Sequence, residues 1–344
     1  MKKICIFALA AIMLLALTVL MPGCGQSGKS ATGGDSDKKI SIVATVFPPY
    51  DFAREIAGDK ADITMLLPPA SESHSFEPTP KDIIGIQNCD VFIYVGGESD
   101  EWVNGVLESM DTGDMKIITL MDCVAAVPEE VVEGMEEEEA GTDANAEEKK
   151  AGAAKPDEPE YENPEYEEPE YDEHVWTSPK NAKLIVQKIS DALCEADPAN
   201  ASAYQKNTAA YQIRLDELDA GFRAVAAGAQ RKTIVFGDRF PFRYLADAYG
   251  LDYFAAFPGC STETEPSAAT VKFLIDKINA EKIPVVFHIE LSNEKMANTI
   301  SEATGAKVLL LHACHNISKD DFKSGVSYID IMTQNIAAIR EALN

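Results

Sequence analysis

The stretch IVATVFPPYDFAREIAGDKADITMLLPP, from Ile42 to Pro69, changes its hydrophobic period twice. Ile42–Val46 is a continuous β-rich apolar run. Tyr50–Ala57 places its apolar residues at helical spacing, and Ile63–Leu67 is apolar again before Pro68-Pro69. A strand, a helix and a second strand in so few residues predict a crossover unit with parallel strands. Working outward, the alternation continues with a predicted helix after Pro80, a strand ending at Gly96-Gly97, a helix from Trp102 and a strand ending at Thr119. It resumes at Ser178-Pro179, an N-cap followed by proline at the first helical position. A long helical stretch over 200–227, roughly 40 Å at about 1.5 Å per residue, precedes four more strand–helix alternations. The expected fold is α/β, with two doubly wound lobes joined by a long rigid helix. The first lobe is expected over 41–127 and 174–199, the second over 228–344.

The region 128–173 interrupts this pattern. From Glu129 to Glu173 there are 20 Asp or Glu against three Lys, a net of −17 within the −27 of the whole 344-residue chain. Its Glu runs and its three PEY units cannot bury an apolar face, so a disordered acidic insert is expected. The blander role for such a run is solubility; the functional one is a weak, unselective attraction of cations beside His174. A basic face is missing, which argues against nucleic acid as a partner.

Lys2-Lys3, the apolar run Ile4–Met21, then Pro22-Gly23-Cys24 and a polar Gly/Ser/Asp stretch read as a signal peptide over 1–23 and a flexible tether over 24–40. The pattern resembles a bacterial lipoprotein signal with Cys24 as the lipidated N-terminus, although Met21 stands where that motif usually has Leu. The expected location is extracytoplasmic, anchored by lipid to the outer face of the membrane, or periplasmic. Beyond Cys24 there are five cysteines and no CxxC pair, so a complete disulfide framework is excluded, while a Cys260–Cys314 bridge and free thiols both stay open.

The chain has five histidines. His74, His174 and His312 fall where strands give way to loops or loops to helices, the places where doubly wound sheets bind ligands. Neutral imidazoles held there suit a tetrahedral Zn²⁺ site. His288 lies inside an apolar strand and reads as a core histidine. Spacings of about a hundred residues do not by themselves unite the others.

The segments VATVFPPYDFAREIAGDKADITMLLPPASESHSFEPTPKDI and DEHVWTSPKNA closely resemble the zinc- and manganese-specific solute-binding lipoproteins of bacterial ABC transporters. The resemblance covers nearly all of 41–343. It implies the helical-backbone metal-receptor fold, an ABC permease as partner, and metal ligands at His74 and His174. The C-terminal lobe departs from the family pattern. TIVFGDRFPFRYLADAYG offers Gly237 or Arg239 at the third ligand position, and the nearest carboxylate is Asp238. KVLLLHACHN puts His312 at the fourth position, with His315 as rival or addition. The expected site is His74, His174, His312 and one of Asp238, His315 or water, with Glu290 orienting a ligand histidine. Three imidazoles favour Zn²⁺ over Mn²⁺, with a manganese receptor kept as the alternative. A zinc-dependent hydrolase is the rival enzyme reading, but no HExxH or comparable base motif supports it. A third reading is an adhesin or scaffold acting through the acidic repeat.

Overall fold

The computed structural model describes residues 39–72, 76–135, 170–261 and 265–344. The signal, Cys24 and the tether up to residue 38 lie outside the described residues, as do His74 and residues 136–169 of the insert.

Four parallel strands build the first sheet: β1 (Ile40–Ala44), β2 (Ala61–Met65), β3 (Val91–Tyr94) and β4 (Lys116–Thr119), in the order β2-β1-β3-β4. β1 pairs on both sides, which is why its residues are almost all buried, whereas β2 at the edge alternates. Helix α1 (Phe47–Ala57) starts on Pro48 and Pro49 and buries Phe52, Ala53 and Ile56. It stops at Gly58, whose φ of 57° favours a residue without Cβ and whose N–H reaches the Arg54 carbonyl. Helices α2 (Pro80–Gln87) and α3 (Glu101–Glu108) cover the other face.

Helix α4 (Pro179–Ala196) leads into α5 (Ala201–Gly228), 28 residues long. The buried positions Tyr204, Thr208, Tyr211, Leu215, Leu218, Phe222 and Val225 recur every three or four residues, a single apolar seam along the whole helix.

The second lobe contains β5 (Thr233–Val235), β6 (Arg239–Phe240), β7 (Asp252–Phe254), β8 (Phe257–Pro258), β9 (Val285–His288) and β10 (Lys307–Leu310). β5 pairs with β7, β9 with β10, and a Phe236–Phe287 bridge joins the two pairs. The lateral order is β7-β5-β9-β10, all parallel; numbering only the four strands of this sheet it is 2-1-3-4, as in the first sheet. The expected single strand Tyr253–Phe257 is split, and its second piece pairs with β6. Helices α6 (Arg243–Tyr249), α7 (Ala268–Glu281), α8 (Lys295–Thr304), α9 (Lys319–Ser324) and α10 (Tyr328–Leu343) complete the lobe. α9 escapes the sequence reading because a six-residue helix shows no period. Helix α5 packs on α4 and α1 from the first lobe and on α10 from the second. One apolar cluster therefore runs from Ile42 and Phe52 through Tyr211 and Phe222 to Phe236 and Leu343.

The insert begins and ends differently from expectation. Pro128 and Tyr171 form an antiparallel bridge, Glu129 N–H donates to the Glu170 carbonyl (2.8 Å), and Asp172 N–H donates to the Val127 carbonyl (3.0 Å). Asp172 and Glu173 are each 1% exposed. Residues 128–135 and 170–173 of the expected insert are thus tied to the rest of the fold, and 136–169 lie outside the described residues. Cys260 and Cys314 are both free thiols.

Candidate metal centre

Trp176, fully buried in a short 3₁₀ turn ahead of α4, fixes the first side of the site. Its indole N–H donates to the Ala313 carbonyl (2.7 Å), and the Tyr328 hydroxyl donates to the Trp176 carbonyl (2.7 Å). Asp172 accepts from the His174 backbone N–H (2.8 Å) and lies 3.2 Å from its Nδ1. That contact leaves Nε2 as the ring atom for a ligand.

The second side comes from the loop after β10. Glu290 accepts from the backbone N–H groups of Ala313 (2.7 Å) and His315 (2.9 Å), one per carboxylate oxygen. Cys314 turns the chain at φ 63°, in the left-handed region. Asn316 donates to the Pro68 and Ser71 carbonyls (2.8 Å each), and Ala70 N–H donates to the Ile317 carbonyl (2.8 Å). The loop bearing His315 is thereby fastened to the loop that leads to position 74.

The His174 and His315 rings meet edge to face with centroids 5.2 Å apart, and Trp176 touches both at 5.6 and 5.1 Å. The two imidazoles line a cavity of about 30 Å³ together with Glu290, Arg239, Glu72 and Gly259. Two imidazoles sharing one tetrahedral Zn²⁺ at about 2.0–2.1 Å per Zn–N bond place their centroids about 5 Å apart. The separation observed fits a common ion.

His312 is placed elsewhere. Its Nδ1 accepts from Cys314 N–H (2.9 Å), and Asn335 of α10 clamps its backbone on both sides at 3.0 and 2.8 Å. It does not line the cavity. Asp238 also stays out: its carboxylate accepts from Arg239 N–H (2.9 Å) and Ile289 N–H (3.3 Å), tying the ends of β5 and β9. Of the sequence candidates, His174 and His315 are thus brought together and His312 and Asp238 are not. The left-handed Cys314 turn separates the two loop histidines, with His315 lining the cavity and His312 not. Glu290 holds the loop through its backbone, and its Oε2 also lies 3.5 Å from Nδ1 of the His312 ring. His288 contacts the Ile289 carbonyl through Nδ1 (3.0 Å) at the end of β9.

Burial alone would lower the His174 pKa, but the charge and hydrogen bond of Asp172, followed by Glu173 and Glu129, raise it. Burial pushes the Glu173 and Glu129 carboxyls up in turn. The acidic surroundings favour a cation at the ring. Among the described residues, Glu129, Glu170 and Cys260 also have ligand-type atoms within 4.8 Å of one another. The insert stem accounts for that proximity, since Glu129 accepts from Cys260 N–H (3.0 Å). Sequence spacing signalled neither Trp176 nor Glu72 as a neighbour of the histidines, whereas Arg239 stands at one of the two third-ligand positions that the family resemblance offered.

The sequence profile of the family described as zinc-uptake complex component A, periplasmic, matches residues 42–342. The chain is 32% identical to the high-affinity zinc uptake system protein ZnuA of Bacillus subtilis, over 96% of each chain. It is 30% identical to the zinc-binding lipoprotein AdcA of Streptococcus pneumoniae, over 99% of this chain and 61% of that one. Among solved structures, the metal-dependent lipoprotein YcdH of Bacillus subtilis aligns with a TM-score of 0.71 at 30% identity, over 89% of this chain and 100% of that one. The Zn(II)-bound ZnuA-like domain of Streptococcus pneumoniae AdcA aligns at 0.69 and 29%, over 89% and 99%. On the reach of the profile and the full-length match, the chain belongs to the zinc-uptake complex component A family, a family of metal-binding solute receptors rather than enzymes.

Proposed function

We infer that this protein is an extracytoplasmic receptor that captures Zn²⁺ between its lobes and delivers it to an ABC permease. The observation that carries the reading is the His174–His315 pair, edge to face at 5.2 Å on one small cavity. In this reading Nε2 of His174 and the ring of His315 are ligands, and His74, two residues beyond Glu72 in the adjoining loop, supplies the third. Glu290 or a water completes the set. Imidazole donors favour Zn²⁺ over Mn²⁺, which prefers more oxygen. His312 takes the structural part, holding the turn that aims His315. The lipoprotein-type leader, with Cys24 as its acylated residue, would tether the receptor to the outer face of the membrane.

The test is calorimetry of the metal-free protein with Zn²⁺ and with Mn²⁺. One Zn²⁺ should bind per chain, more tightly than Mn²⁺. His74→Ala, His174→Ala and His315→Ala should each weaken zinc at least a hundredfold, while His312→Ala keeps affinity within a few-fold. Loss of binding in His312→Ala with retention in His315→Ala would overturn this ligand set.

A further inference from the structure

Asp172 and Glu173 are consecutive carboxylates, each 1% exposed, and at that depth each calls for a polar partner. Asp172 has the His174 ring. Glu173 is only half employed. Its Oε1 accepts from the Ser99 N–H at 2.8 Å, while Oε2, equally buried, has no hydrogen-bond partner among the described residues. Gly97 keeps the carboxylate in this pose, because a Cβ at that position, already at φ 75°, would collide with Oε1.

Glu173 lines a second, smaller cavity of about 10 Å³ together with Thr45, Asp100 and His315. Thr45 and Val95, the residues that follow β1 and β3, are on its wall, so it lies where the strand order of the first sheet reverses. His315 also lines the cavity that holds His174. Its imidazole therefore borders two spaces, with the other histidine on one and the unused carboxylate oxygen on the other. A space of about one probe sphere takes a single water, which needs two or more polar partners. Asp100 Oδ2 is already occupied by Val95, Gly96 and Thr45, which leaves Glu173 Oε2 as the acceptor.

Two roles are open to Glu173. As a cap on the turn that leads into α3 it would need Oε1 alone. The burial of an unused second oxygen, on a cavity shared with a histidine, favours a further role. We propose that Glu173 is a positioning residue for His315. Its Oε2 accepts, through one water in the smaller cavity, from one ring nitrogen of His315 and so fixes the tautomer that presents the other nitrogen to the ion. A carboxylate behind a metal-bound imidazole holds the ring in place and makes it a stronger donor. The insert stem then backs both rings, Asp172 behind His174 and Glu173 behind His315. The proposal rests on the reading of His174 and His315 as zinc ligands.

Calorimetry with Zn²⁺ and NMR of the ring nitrogens, both on the full chain, test it. Glu173→Gln, which keeps the size and an acceptor for Ser99, should weaken zinc about tenfold or more. In a His315→Ala background the same change should cost less than about twofold, since the ring through which it acts is gone. In the metal-free protein the His315 ring, assigned by its loss in His315→Ala, should be a single tautomer. Glu173→Gln should mix or invert that tautomer and leave the His174 signals in place. Glu173→Asp, which draws the carboxylate back by one methylene, should disturb the same signals and stands in if Glu173→Gln misfolds. Zinc affinity within about twofold of wild type in Glu173→Gln, an equal cost in both backgrounds, or an unchanged His315 tautomer would each overturn the pairing. If the wild-type chain bound no zinc, the receptor reading would fail while the tautomer comparison still judged the pair. Normal zinc binding with both readings unchanged in Glu173→Gln would remove the pairing alone.

Discussion

Asp100 is a carboxylate 6% exposed, held by the backbone N–H groups of Val95 (2.6 Å) and Gly96 (3.3 Å) and by the Thr45 hydroxyl (3.4 Å). Burial pushes its pKa up to about 6, so the folded chain keeps this proton at a pH where the unfolded chain has released it. Its contribution to stability is complete below about pH 4 and is lost as pH rises through 6, on the order of 3 kcal/mol. Asp100→Asn, which retains an acceptor for Val95, should flatten the denaturation free energy between pH 4 and 7 by about that amount relative to wild type. Parallel profiles for the two proteins would contradict the assignment. His174 follows a different logic, because its proton competes with the metal and its raised pKa moves that competition toward neutral pH. At this scale the sequence was half legible. The motif around His174 names a position that lines the cavity, whereas His74 lies outside the described residues. The choice between His312 and His315 rests on the left-handed Cys314 and on the Asn335 clamp from a distant helix, and no local pattern encodes either.

Strands and helices were legible wherever period and punctuation agreed. Ile42–Leu67 and the α5 seam are such cases, since each long element has one face that must be buried. The insert edges were not, because Glu170, Asp172 and Glu173 continue the composition of the acidic run. What folds them is tertiary: the Ser99 N–H meets Glu173 Oε1 at 2.8 Å, and the Tyr244 hydroxyl donates to the Asp172 carbonyl at 2.7 Å. The stem also reaches the second lobe, where Tyr253 and Arg243 both contact the Glu130 carboxylate, at 3.0 and 3.1 Å. Excising residues 136–169 across a short Gly/Ser link should therefore leave calorimetric zinc affinity within about threefold of wild type. Excising 129–172 should lower it by at least tenfold, because Asp172, the partner of His174, goes with it. Equal affinities from the two deletions would show the stem to be dispensable.

At the scale of the whole molecule, α5 decides how far the lobes can part. An apolar cluster shared by both sheets, with one helix seated on α1, α4 and α10, resists a wide hinge because opening would expose core side chains to water. The radius of gyration from solution scattering should accordingly differ by less than about 1 Å between zinc-free and zinc-loaded protein. A shift of several ångströms would mean that the lobes separate despite this core.

The repeated 2-1-3-4 strand order carries one more implication. His174 follows the fourth strand of the first sheet, β4, and His315 follows the fourth strand of the second, β10, so the two rings are topological counterparts. Each half of the chain brings one of the two cavity histidines from the same place in its plan. Separated halves would each keep only one of the two cavity histidines, so the pair exists only where the two copies of the plan face each other.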